Sequence, residues 1–200
     1  DVVCVHRKGH NAGLMPPHPI IDRGKRSIML DLKSAADVET LLQLVESADA
    51  LLEGFRPGVM ERLGLGPAAC HVRNPDLLYG RMTGWGQDSP LAQTAGHDLN
   101  YTALSGALWY DATPGTPPQP PATLLGDIGG GALYLVAGIL AALVRRGNAH
   151  ESSPAGCVVD AAIYDGSAHM MNLLMTLQQA GQFATMRGAR LLDGPPWSRC

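Results

Sequence analysis

One imidazole and one carboxyl group, both able to exchange a proton, stand in matching contexts in this sequence. His97 lies in Ala95-Gly96-His97-Asp98-Leu99-Asn100-Tyr101, and Asp127 in Leu125-Gly126-Asp127-Ile128-Gly129-Gly130-Gly131. Each falls where a loop is expected to turn into a helix, and Asp127 directly precedes the apolar run Ile128 to Val144. A helix start offers unpaired backbone N–H groups and about half a positive elementary charge. An imidazole and a carboxyl group at two such starts could flank a substrate that develops negative charge, which is a site for moving a proton. The simpler reading makes Asp127 only an N-cap and His97 a loop histidine, because Asp is among the preferred capping residues. Spacing alone leaves both open.

The bulk properties limit the classes. Two hundred residues, 46% hydrophobic and 16% charged, describe a globular chain with a sizeable core. A net charge of −3 argues against nucleic acid as the main partner. Charge is uneven, however: Arg7, Lys8, Arg23, Lys25, Arg26 and Lys33 face only Asp1, Asp22 and Asp31 over the same stretch. Such a patch suits a small polyanion such as a nucleotide phosphate, or is an ordinary solvated surface. Cys4, Cys70, Cys157 and Cys200 show no CxxC spacing, so no zinc site or disulfide framework is indicated, and a reduced intracellular setting is expected. No GxGxxG points to a nicotinamide or flavin cofactor. Residue 1 is not Met and falls at a strand edge, and the end, Trp197 to Cys200, has no closing element; a fragment is expected.

The elements alternate. Val2 to His6 reads as a short buried strand, and Arg7-Lys8-Gly9-His10 follows at its carboxyl end, where ligands of open α/β sheets bind. A Pro/Gly/His-rich loop runs through Pro19. Ser27 to Leu32 reads as a strand, then Ser34 caps a helix with Asp37 as an imperfect capping box. Asp49 to Glu53 returns as a strand, which predicts a right-handed parallel crossover. A turn at Arg56-Pro57-Gly58, a short helix through Leu63, a helix from Pro67 to Asn74 and a strand from Leu77 to Met82 follow. Beyond Thr83-Gly84-Trp85-Gly86 come a long polar loop, a helix from Asp98 to Leu108, and a Pro-rich loop from Pro114 to Pro121. Ile128 to Val144 is predicted as a core helix, being shorter than the usual membrane span. A strand from Cys157 to Ala161 precedes one helix from Ile163 to Gln179, whose Met170, Met171 and Met175 make either plain core or an adaptable surface for an acyl chain. This alternation predicts an α/β fold with a doubly wound, mostly parallel sheet and flanking helices.

The motifs around His97 and Asp127 closely resemble the α-methylacyl-CoA racemase branch of the class III CoA-transferase family. Gly24-Lys25-Arg26-Ser27 with Leu30-Asp31-Leu32-Lys33, Arg56-Pro57-Gly58-Val59-Met60-Glu61, and Gly80-Arg81-Met82-Thr83-Gly84-Trp85-Gly86-Gln87 are similar to the same family in the same order. The resemblance implies a Rossmann-like large domain over residues 1–185, truncated at both ends, with the first strand and helix missing upstream. Residues 186–200 would begin a linker to an absent small domain. It implies that His97 and Asp127 are the two acid/bases, and that Arg7, Leu30, Asp31, Leu32, Lys33 and Gly96, His97, Asp98, Leu99, Asn100, Tyr101 contact coenzyme A. Coenzyme A enters as part of a thioester substrate, with no permanently bound cofactor and no metal.

The mechanism so implied is two-base 1,1-proton transfer interconverting (R)- and (S)-2-methylacyl-CoA through an enolate. Backbone N–H groups at the start of the Asp127 helix would hold the thioester oxygen. A helix start favours the carboxylate, so burial or a neighbouring carboxylate must raise the pKa of Asp127 for it to carry a proton. The family resemblance supplies a later glutamate outside this sequence as that partner. The rival on the same fold is a CoA-transferase in which Asp127 is a nucleophile forming an acyl anhydride. A third reading is an inactive CoA-binding fragment. The resemblance also implies an interlocked homodimer at full length. The setting would be cytoplasmic if bacterial, and peroxisomal or mitochondrial if eukaryotic.

Overall fold

The computed structural model describes residues 1–8, 20–110, 114–119, 123–148 and 155–182. The expected Pro/Gly/His-rich loop with His10, most of the expected linker and the end of the Pro-rich loop lie outside these. The elements in chain order are β1 (Val3–Arg7), β2 (Arg26–Leu30), α1 (Ala35–Val45), β3 (Ala50–Glu53), α2 (Val59–Arg62), α3 (Pro67–Arg73) and β4 (Leu78–Thr83). Then come α4 (Asp98–Leu104), α5 (Ala107–Tyr110), a π-helical segment (Leu124–Ala132), α6 (Leu133–Asn148), β5 (Cys157–Ala162), α7 (Ile163–Met170) and α8 (Asn172–Gln179). The fold is α/β with parallel strands and flanking helices, as the alternation predicts.

β4 is the spine. Leu77, Leu78 and Tyr79 are fully buried, as expected of a central parallel strand covered on both faces. It pairs in parallel with β3 on one side, Leu51 opposite Tyr79, and with β5 on the other, Tyr79 opposite Val158. One face carries Tyr79 into a cluster with Val45 and Cys70, under α1 and α3. Its hydroxyl donates to the Leu65 carbonyl at 3.0 Å, and Cys70 Sγ donates to the same oxygen at 3.2 Å. Burial pushes the Cys70 thiol up to about 11, so it stays protonated and acts here as a small apolar side chain. On the other face α6 lies so close that a Cβ on Gly80 would meet Leu135 at 3.1 Å and Ile139 at 3.3 Å.

Three expectations change. The strand read as buried from Val2 to His6 is β1, and it is mostly exposed, Val3 and Val5 among its exposed residues. β2 and β3, joined by α1, do not share a ladder: β1 pairs with β2, and β3–β4–β5 form a separate set. The described strands thus lie in two parallel ladders, β1–β2 and β3–β4–β5. One apolar cluster still joins both halves, with Leu30 of β2, Leu41 of α1, Met60 of α2 and Leu65 buried together, and Leu51 of β3 packed against them. The capping box of α1 is not formed, because the Asp37 carboxylate turns outward to accept the Asp31 N–H at 2.7 Å.

Helix lengths differ as well. Gly106, at φ +85°, ends the expected 98–108 helix early and begins α5. The expected 163–179 helix breaks at Met171 into α7 and α8. The 128–144 helix is longer, because the π segment and α6 run on continuously from Leu124 to Asn148. At 25 residues it is long and apolar enough to cross a membrane, so the length argument does not hold. Within this fold one side of it covers β4 and β5, where a Cβ on Gly138 would meet Val159 at 2.5 Å.

Truncating the centre of the core should be costly. Leu77→Ala is expected to lower unfolding free energy by about 2–5 kcal/mol, the usual range for a buried leucine. Urea denaturation measures this; a loss under about 1 kcal/mol would place the core elsewhere.

Candidate active site

The polar loop after β4 is fixed by packing before it reaches His97. Thr83 Oγ1 accepts the Gly86 N–H at 3.0 Å, and the Gly84 carbonyl accepts the N–H of Tyr164 at 3.0 Å. Tyr101 then comes in from α4 and lies against the backbone of two glycines. A Cβ on Gly84 would fall 2.2 Å from its hydroxyl, and one on Gly96 2.6 Å from its ring. Trp85 meets that ring edge-on, with centroids 4.7 Å apart and planes at 73°. With Ile163 these two aromatics form a buried cluster, a large apolar anchor for the start of α4. Burial raises the pKa of Tyr101, as does the charge of Asp127; Arg56 acts in the opposite sense.

His97 is the N-cap of α4, in extended backbone at φ −137° and ψ 170°. Its N–H donates to Asn100 Oδ1 at 3.0 Å, and its carbonyl accepts the Asn100 N–H at 2.8 Å. These backbone contacts leave the imidazole exposed. The next residue turns the other way. Asp98 Oδ2 accepts the Gly126 N–H at 2.9 Å and the Asp127 N–H at 2.8 Å, while Thr102 Oγ1 donates to the Asp98 carbonyl at 2.9 Å. The residues beside each proton-carrying group are thereby tied together.

Asp127 is not the N-cap of its helix. Thr123 holds that position at φ +45°, a left-handed conformation uncommon for a β-branched residue. Asp127 sits inside the first turn of the π segment and is half-buried. π-helical turns are rare and concentrate at functional sites. The glycines after Asp127 permit backbone to touch backbone. A Cβ on Gly130 would fall 2.5 Å from Ser167 Oγ and 2.7 Å from its nitrogen. One on Gly131 would fall 2.7 Å from Ile163 Cγ1, and one on Gly166 of α7 would fall 1.9 Å from the Gly130 carbonyl oxygen.

Electrostatics follow from this placement. Burial raises the pKa of Asp127 above the ordinary carboxylate value, the Asp98 charge raises it further, and His97 pulls it back down. Both groups therefore lie within electrostatic reach of one another. The neighbouring carboxylate is present within the chain as Asp98, not only in a later glutamate. The Gly126 and Asp127 N–H groups are held by Asp98, so these two are not among the donors free to hold a thioester oxygen.

Among the other candidate residues, Gly96 to Tyr101 cluster with Asp127. Leu99 and Asn100 are exposed beside His97, and Tyr101 is buried. Arg7 and Leu30 to Lys33 form a second group at the carboxyl ends of β1 and β2, where Arg7 stands opposite Leu30 and the Lys8 N–H donates to the Leu30 carbonyl at 3.1 Å. Arg7, Asp31 and Lys33 are exposed there, Leu32 is half-buried and Leu30 is buried. Asp31 Oδ1 accepts the Lys33 N–H at 3.1 Å, which rounds the turn and leaves both cationic side chains outward. Sequence reasoning missed the inward turn of Asp98 and the part played by Gly126. The available signal was a carboxylate directly after the histidine, at a helix start rich in unpaired N–H groups.

Residues 6–198 match the model of CoA-transferase family III. The chain belongs to that family. It is 41% identical over 194 residues to the α-methylacyl-CoA racemase of Mus musculus, which covers 97% of this chain and 49% of the mouse protein. It is 36% identical over 172 residues to the acetyl-CoA:oxalate CoA-transferase of Acetobacter aceti, covering 85% of this chain and 43% of that protein. The crystal structure of Rv3272 from Mycobacterium tuberculosis superposes with a TM-score of 0.76 at 33% identity, over 90% of this chain and 51% of the other. The chain thus spans about half the length of the relatives it matches. Racemases and transferases both stand among those relatives.

The backbone contact on α7 gives a paired test. Gly130→Ala should destabilise by about 1–3 kcal/mol or more, since its Cβ meets main-chain atoms and an overpacked site must shift. Gly147→Ala, whose Cβ meets nothing within 4 Å on α6, should stabilise by about 0.5–1 kcal/mol through helix propensity. Thermal melts of both variants check this; equal effects would remove the close approach as a constraint.

Proposed function

We propose that this chain carries the proton-transfer centre of an enzyme interconverting (R)- and (S)-2-methylacyl-CoA thioesters, with His97 and Asp127 as the two acid/bases. The observation that supports it best is the pairing itself. An exposed imidazole and a half-buried carboxyl with a raised pKa stand on neighbouring helix starts joined through Asp98.

The α-hydrogen of a thioester is weakly acidic, so its removal needs a positioned base and a stabilised enolate. Neutral His97 takes the hydrogen from one face, and protonated Asp127 returns one to the other. In the reverse direction the Asp127 carboxylate takes it and His97 returns it. A carboxyl group in water is almost wholly ionised near neutral pH, whereas one raised by burial and a like charge can be found in either form. The cationic turn of Arg7 and Lys33 suits the phosphates of coenzyme A, and Met170, lying against the π segment near Gly129, suits an apolar acyl chain. Homodimer formation and a setting in lipid metabolism belong to the same reading.

The second reading is CoA transfer between carboxylic acids through an Asp127 acyl anhydride, favoured by the similarity to the Acetobacter transferase. Proton exchange separates the two. In the full-length protein, solvent deuterium should enter the α-position of a 2-methylacyl-CoA, and His97→Ala should reduce that exchange by about 10²–10⁴-fold, the usual contribution of a general acid/base. Hydroxylamine trapping of Asp127 with exchange absent would establish the transferase instead.

Two further outcomes follow. With Asp127 as base, kcat/KM should rise with pH through a pKa above the ordinary carboxylate range, because the deprotonated form is the active one; a limb at the ordinary value would contradict the raised pKa. Arg7→Ala should weaken CoA binding, with a shallower salt dependence than the parent; unchanged affinity and salt slope would remove Arg7 from the site.

A further inference from the structure

Asp98 neighbours His97 in sequence and touches the backbone of Asp127 in space, and no step of the proposed chemistry uses its carboxyl. Both polar contacts of Oδ2 go to the first turn of the π segment, at 2.9 Å to the Gly126 N–H and 2.8 Å to the Asp127 N–H. The fit is close. A Cβ on Gly126 would fall 2.9 Å from Oδ2 and 3.0 Å from Cγ, so glycine there is what lets a carboxylate reach two successive backbone donors. From its other side the Asp98 carbonyl takes the Thr102 hydroxyl at 2.9 Å, and Thr102 is buried. A carboxylate accepting two N–H groups makes charge-assisted bonds, stronger than neutral ones and specific in direction.

We infer that Asp98 is a positioning residue, a clamp that sets the Asp127 carboxyl against His97 and couples their two helix starts into one unit. This rests on the proposed roles of His97 and Asp127 and assigns Asp98 inward, to the protein, where the family resemblance placed it among the CoA contacts. Among the described residues the hydrogen bonds between α4 and the π segment are those two accepted by Asp98, and proton transfer across one carbon tolerates little displacement. The charge has a second effect: Asp98 opposes ionisation of Asp127, in the same sense as burial. His97 and Tyr101, also on α4, are the other titratable groups coupled to Asp127. The titratable residues of α7 include Tyr164, Asp165 and His169, and Arg81 of β4 pairs with Glu61 at 3.4 Å and with Asp160 of β5 at 3.6 Å.

Two variants of the full-length protein separate clamp from charge. Asp98→Asn keeps an oxygen acceptor of the same shape and removes the charge; Asp98→Ala removes both. Amide hydrogen exchange at Gly126 and Asp127 should quicken by about tenfold or more in Asp98→Ala and stay near the parent rate in Asp98→Asn. Carboxyl-carbon NMR should find Asp127 titrating at lower pH in Asp98→Asn than in the parent, and the acidic limb of kcat/KM should move down with it. In Asp98→Ala, kcat should fall about 10²-fold with KM within about threefold, and Asp98→Asn should recover most of that loss. Unchanged exchange at both amides together with an unchanged Asp127 titration overturns the clamp, as does a raised KM with kcat preserved, which would make Asp98 a ligand contact. Absence of α-proton exchange in the parent protein overturns the racemase reading alone, since exchange rates and carboxyl titration report on the clamp without turnover.

Discussion

The site depends on one close approach, the main chain of the π segment lying directly on α7. At Gly130 and Gly166 there is no room for a β-carbon on either partner, so the two helices meet backbone to backbone. That contact fixes where Leu124 to Ala132 runs, and Asp127 is carried on it. Glycines are poor helix formers in isolation, so tertiary packing, not local propensity, holds this stretch helical. Its wide π winding is consistent with a segment whose path is set from outside.

Around that contact the polar groups are placed by aromatic and carboxylate anchors with distinct tasks. Trp85 and Tyr101 seat α4 in a buried cluster with Ile163, the residue that also meets Gly131. The same α7 therefore supports both the helix bearing His97 and the segment bearing Asp127. Asp98 then spans the remaining interval by accepting two backbone N–H groups. Using a carboxylate for this has an electrostatic side effect, since it sits beside a second carboxyl that is itself partly withdrawn from water. Each like charge and each increment of burial favours the protonated form. Asp98 thus supplies a structural bond and adds to the rise that burial already gives the Asp127 pKa.

The β1–β2 ladder and its cationic turn belong to the other half of the molecule, joined to β3–β4–β5 through the apolar cluster of Leu30, Leu41, Met60 and Leu65. The strands that α1 joins pair elsewhere, β2 with β1 and β3 with β4, and meet only through that apolar cluster. The division matters for ligand binding, as the two groups of candidate residues lie at carboxyl ends of strands, where open α/β sheets bind their ligands.

Much of this was written in the residues themselves. Apolar runs and turn residues marked every described strand within a residue or two, although only β4 is buried through most of its length, as a central parallel strand should be. The order of motifs marked the family, and the residue types at 97 and 127 suggested the proton chemistry proposed for them. Three things were beyond a linear reading. The extent of the helix around Asp127 was hidden by its glycines, whose low propensity masked a start at Leu124. The separation of β2 from β3 depends on which edges pair, a long-range choice that no local pattern encodes. The direction of the Asp98 side chain was decided only when folding brought Gly126 to it, since a carboxylate takes whichever donors the tertiary structure leaves unpaired within reach.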